Sequence, residues 1–144
     1  MRRATLSKVK DAVGSVLEAQ STPAAGFDAA FVIKPKKGLF RKPEPGVRLL
    51  VKVVPCVDAD AVAEIWQPAL KATLPETIPT LLLMGSSVAS AKELATAVTE
   101  QRRRARGAGP VLVPVDVRDW EALFPPETPA AVRSVIQRLR SGEA

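Results

Sequence analysis

At 144 residues, with 47% hydrophobic and 25% charged side chains, the chain has the size and balance of one ordinary folded domain, far from the polar, highly charged compositions that stay disordered. It contains no His and a single Cys, Cys56, which excludes an internal disulfide, zinc held by His and Cys, and any mechanism in which an imidazole activates a nucleophile. The formal net charge is +6, and its placement is uneven: residues 1–54 carry eleven Lys or Arg against four acids, while the remainder is close to balance. A polyanion would therefore meet the first third of the chain first.

The first element is a helix. Val9, Val13, Val16 and Leu17 recur at spacings of three and four, which predicts an amphipathic helix over 5–20, stopped by Ser21-Thr22-Pro23. The stretch 9–16 is broken by Lys10, Asp11, Gly14 and Ser15, so it lacks the apolar core of a secretion signal, and no run approaches the length of a membrane span. A soluble, cytoplasmic protein is the expectation. Phe27 to Ile33 reads as a strand, and the β-branched, Leu-rich run Val47–Val54 as a second, buried strand. Between them Gly38, Pro43, Pro45 and Gly46 punctuate a basic loop, which predicts an antiparallel hairpin with a long positive tip.

Asp58 or Asp60 is placed to cap a helix whose apolar face uses Ala61, Val62, Ile65, Trp66, Ala69 and Leu70, with Pro68 expected to kink or shorten it. Pro79 to Met84 has the character of a central strand, and Gly85-Ser86-Ser87 leads into a helix over 88–106. That helix uses Ala91, Leu94, Ala95 and Val98, with a stop at Gly107-Ala108-Gly109. Pro110 to Val115 is a further strand, Asp116–Leu123 a short helical turn, and the last helix starts near Thr128-Pro129 with Val132, Val135, Ile136 and Leu139 as its stripe. Strands reached through helices must run parallel to their predecessors. The chain is thus expected to be a single three-layer α/β domain, its mixed sheet of about four strands combining an N-terminal antiparallel hairpin (1–54) with a β-α-β-α-β-α part (55–144).

Five groups of residues bear on function. Lys34, Lys36, Lys37, Arg41, Lys42 and Arg48 cluster on the hairpin beside Leu39 and Phe40; cations next to a ring suit phosphates and bases. They equally suit a solvated loop whose Leu39 and Phe40 fold back on the core. Arg102, Arg103, Arg104 and Arg106 end the long helix, where cations complement the helix dipole and also offer a surface to phosphates or acidic partners. Gly85-Ser86-Ser87 has the form of an anion-holding helix start without the glycine pattern or Lys of a phosphate loop, and Ser86 or Ser87 serves as an N-cap. Trp120 and Phe124, four apart, would share a helical face and either close the core or act as a hydrophobic anchor for a partner.

The fifth group is Asp28 on the first strand, Lys52 on the second and Glu64 on the following helix. The order helix, hairpin, helix, strand over residues 5–85 resembles the core of restriction-endonuclease-like nucleases. In that family an acid on one strand pairs with an acid-x-Lys on the next. Here that position reads Leu50-Val51-Lys52, so Glu64 would have to stand in for the second acid. The resemblance implies metal-dependent cleavage only if the three side chains converge.

With no assembled catalytic constellation in the sequence, and no cofactor or metal expected, the leading expectation is a non-enzymatic accessory or adaptor domain acting through a protein partner and bearing a basic N-terminal surface. The alternatives are a nucleic-acid-binding domain using the basic hairpin and a degenerate nuclease.

Overall fold

The structure is a computed structural model that describes residues 2–16, 19–34 and 45–141. Its framework is three parallel strands, β3 (Gly46–Val53), β5 (Thr77–Gly85) and β7 (Val111–Asp116), lying side by side in that order. Their sequences are almost continuously apolar because both faces are covered. Val47, Leu49, Val51, Leu82, Met84, Val113 and Val115 face one helical layer, formed by α1 (Arg2–Val16) and α4 (Ala130–Ser141). Leu50, Leu81, Leu83 and Leu112 face the other, formed by α2 (Ala59–Lys71) and α3 (Ala91–Arg104). Helices α2 and α3 are the two crossovers. Since β5 and β7 are added in one direction, right-handed connections bring both helices to the same face.

The sheet is completed by antiparallel strands, β2 (Ala29–Ile33) and β1 (Ala19–Ser21) beyond β3, and β8 (Glu121–Ala122) beyond β7. The result is the expected α/β fold with a mixed sheet and helices on both faces, but with six strands instead of about four. A separate parallel pair, β4 (Cys56–Val57) and β6 (Ser87–Val88), sits where β3 and β5 end. All four extra strands are two or three residues long, too short to show any hydrophobic period.

Three local readings change. The first helix ends at Val16, and residues expected to be its last turn include β1, which pairs Ala19 with Ile33. Helix α2 is neither stopped nor shortened by Pro68 and continues to Lys71. Pro68 lies in its last turn, so it removes a single bond, and the turn is closed by the Ala72 N–H donating to the Pro68 and Ala69 carbonyls at 3.0 and 3.2 Å. Residues 117–120 form a turn leading into β8, not a helix. Asp116 Oδ1 accepts from the Arg118 N–H and Asp119 Oδ1 from the Glu121 N–H, both at 2.9 Å, and Trp120 takes a left-handed φ of 61°. Side-chain acceptors for local N–H groups compete directly with helix formation.

The start of α3 is displaced for a related reason. The β5 strand runs on past Gly85 to pair as β6, so the cap falls on Ser90, whose Oγ accepts from the Glu93 N–H at 3.2 Å, and not on Ser86 or Ser87. Its buried contact is Leu94, flanked by half-buried Ala97 and Val98, while Ala91 and Ala95 face solvent. Helix α2 is capped by Asp58, which accepts from the Ala61 N–H at 2.9 Å. Among the described residues, no helix is long and apolar enough to cross a membrane.

Candidate functional site

The parallel strands give the sheet two unlike ends. At the end where they finish, the β4–β6 pair folds over the strand termini. The Val54 N–H donates to Met84 at 2.8 Å, Ala89 to Val57 at 2.9 Å and Val117 to Gly85 at 3.0 Å. Gly85 is required by this closure, because a Cβ there would lie 2.7 Å from the Val54 carbonyl oxygen. Ligands of open α/β sheets ordinarily bind at this end, in the crevice where strand order reverses. No reversal occurs among β3, β5 and β7.

Asp28 and Lys52 lie near this end. The pairing of Ala29 with Val51 places Asp28 beside Lys52 on the neighbouring strand, and Asp28 Oδ2 accepts from the Val53 N–H at 2.8 Å. Glu64 forms no ion pair with Lys52 among the described residues. It is exposed on α2, whose inward positions are Val62, Ile65, Trp66 and Ala69. Among the described residues there is no group of three acidic, His or Cys side chains placed to hold a metal ion.

The opposite end, where the parallel strands begin, collects cations. Lys34 directly follows β2, whose Ile33 pairs with Val47; α2 ends at Lys71 ahead of β5; α3 ends in Arg102, Arg103 and Arg104 ahead of β7. The expected hairpin cations Lys36, Lys37, Arg41 and Lys42, with Phe40, lie outside the described residues, in a segment joined to the sheet at Lys34 and Pro45. Lys34, Lys71 and Arg106 are exposed and enter none of the ion pairs among the described residues.

The four arginines at the end of α3 are not equivalent. Arg102 turns inward, where its guanidinium donates to the Pro110 carbonyl at 2.7 Å and lies 5.5 Å from the centre of the Trp66 ring. Trp66 is fully buried, and its indole N–H donates to the Ala108 carbonyl at 3.1 Å. The ring occupies the space beside Gly109, where any Cβ would overlap it at 1.9 Å. Arg102 thus pins the helix end to the core. Arg103 and Arg104 point outward and share Glu100, at 2.6 and 3.1 Å. Their hydrogen bonds, that from Arg103 first, hold the Glu100 carboxyl down at about 2. Arg106 stands exposed in the turn that follows, with φ of 55°.

Arg48, grouped by sequence with the exposed hairpin cations, is instead 3% exposed. It points to the α2 side of the sheet, where Nε donates to the Ala72 carbonyl at 3.2 Å and Nη1 to the Thr22 carbonyl at 2.9 Å. Burial lowers its pKa from the ordinary value. The available signal was a cation in second place of a run otherwise fit for a buried strand. Trp120 is also buried, at 2% exposure, and closes the α1–α4 core. Phe124 is half-buried, with the Arg133 guanidinium 4.8 Å from its ring centre. The two residues do not form a shared exposed face.

Comparison with known protein families, curated proteins and solved structures finds no match to this chain.

Proposed function

We propose that this is a non-enzymatic interaction domain, an accessory or adaptor module, that docks an acidic protein surface against the end of the sheet where the parallel strands begin. The observation that supports the reading is the gathering of Lys34, Lys71, Arg103, Arg104 and Arg106 at one end of the fold from three separate elements. A basic surface raises the encounter rate with acidic partners and sets their orientation. Arg102 has a different role, holding that surface in place.

An acidic protein suits this surface better than nucleic acid for two reasons. Glu100 stands ionised between Arg103 and Arg104, which interrupts the single-sign track that follows a phosphate backbone. Among the described residues, the aromatic rings of the core on the α2 and α3 side, Trp66 and Phe27, are buried and half-buried, which leaves little ring surface for stacking on unpaired bases. The nucleic-acid reading rests on Lys36, Lys37, Phe40, Arg41 and Lys42.

The test is fluorescence anisotropy with a labelled oligo-glutamate and a labelled DNA duplex across a salt series, for the native chain and for Lys34→Ala with Arg106→Ala. Oligo-glutamate binding that weakens with salt and drops roughly threefold to tenfold in the double variant is the expected result. Tighter binding of the duplex with a steep salt slope would transfer the assignment to nucleic acid, and no binding of either at low salt would remove both.

A further inference from the structure

Beside the basic end lies an open cleft of about 480 Å³ between the β1–β2 connection and the end of α2. Pro23, Ala24 and Gly26 form one wall and Pro68 and Leu74 another, with Arg48 and Lys71 as the polar groups. This is the size of an ordinary small-molecule site, mostly apolar with a few convergent polar groups.

Arg48 is the informative residue. A guanidinium has five N–H donors and cannot discard its charge at ordinary pH. Two donors are engaged by the Ala72 and Thr22 carbonyls, and these partners are neutral. None of the ion pairs among the described residues includes Arg48, although the residue is 97% buried. Among the described residues Nη2 has no hydrogen-bond partner. The only buried polar side-chain atom sealed off without one, among the described residues, is the Thr80 hydroxyl, so Nη2 keeps an opening to solvent. A structural clasp between Ala72 and Thr22 uses Nε and Nη1 and leaves the Nη2 edge facing the opening of the cleft. Burying a cation without an anion is costly, and an anion that completes it recovers that cost on binding.

We propose that this cleft is a binding site for a small aliphatic carboxylate, its carboxyl group received by Arg48 with Lys71 at the rim and its hydrocarbon part lying against Pro23, Pro68 and Leu74. A singly charged carboxylate fits better than a phosphate dianion. The C-terminal end of α2 reaches the same place through the Ala72 carbonyl, and the negative pole of a helix disfavours additional negative charge. Phosphate sites, by contrast, draw on the N–H groups of a helix start. The site needs no macromolecular partner, so it stands or falls separately from the docking surface.

The test uses the native full chain and NMR of the arginine side-chain nitrogens, titrated with sodium butyrate, with butanamide as the uncharged isostere, and with sodium phosphate at matched ionic strength. The expected result is a saturable shift of the Arg48 resonances with butyrate at a Kd of about 1 mM, weaker binding of phosphate, and no such shift with butanamide. Lys71→Met, an exposed change at a helix end, raises the butyrate Kd roughly threefold while Arg48 still reports binding. Because the main readout is the native protein, the assignment does not depend on an Arg48 variant folding. Absence of a saturable shift, an equal response to butanamide, or phosphate binding as tightly as butyrate would each overturn it.

Discussion

The two ends of the sheet are built on opposite plans. Where the parallel strands finish, backbone meets backbone: β4 and β6 bridge the termini, Gly85 is held against the Val54 carbonyl, and Asp116 and Arg118 form a local ion pair at 2.7 Å. Where the strands begin, side chains dominate, with Trp66 and Arg102 inward, Arg48 at the cleft, and Lys34, Arg103 and Arg106 outward. The usual ligand end of an α/β sheet is the closed one here, which moves the candidate chemistry to the other end. Strand order accounts for this inversion, since two crossovers on one face open no crevice between neighbouring strands.

The largest effect that tests this contrast is at Trp66. Trp66→Ala removes a fully buried ring together with its indole hydrogen bond and the seat of Arg102, and is expected to cost about 3–5 kcal/mol in urea unfolding. A loss below about 1 kcal/mol would mean that the side-chain end is not organised around this ring. A smaller effect is expected at the other end. Gly85→Ala sets a Cβ against the Val54 oxygen and the Val57 side chain, an overpacking worth about 1–3 kcal/mol by the same measurement. If it costs as much as Trp66→Ala, the closed end is the less adjustable of the two.

The smallest effect is electrostatic. Glu100 has a folded pKa of about 2, below its ordinary value, because Arg103 and Arg104 donate to it. A depressed acid contributes stability that is present above its unfolded pKa and lost as pH falls through the folded one. The window is therefore from the ordinary carboxylate range down to about 2. The group is solvent-screened, so the expected signature is the titration itself, a Glu100 carboxyl resonance with its midpoint near 2. A midpoint in the ordinary range would show that neither arginine holds Glu100 in solution.

These contrasts were unevenly legible in the sequence. The parallel framework was readable because continuous apolar runs such as Leu81–Met84 alternate with long periodic helices. Side-chain periodicity identifies what is long and buried. It was silent on β4 and β6, whose pairing comes from the convergence of β3 and β5 and not from two-residue sequences. It misread 117–120, where Asp116 and Asp119 act as turn acceptors while Trp120 and Phe124 imitate a helical pair. The site divided in the same way. Exposure of Arg103 and Arg106 followed from composition, whereas the inward turn of Arg102 depends on Trp66, far away in sequence, and the burial of Arg48 on the end of α2.

The outermost strands carry one more consequence. β1 is three residues, Ala19-Gln20-Ser21, with Gln20 and Ser21 exposed, and β8 is two. An edge this short and polar offers few free backbone groups to a stray strand from another chain. The segments most prone to such pairing, Leu49–Val51 and Leu81–Met84, are fully enclosed in the middle of the sheet. The brevity of β1 thus acts as protection against edge-to-edge aggregation on the β2 side, and lengthening it with β-branched residues would present a longer template there.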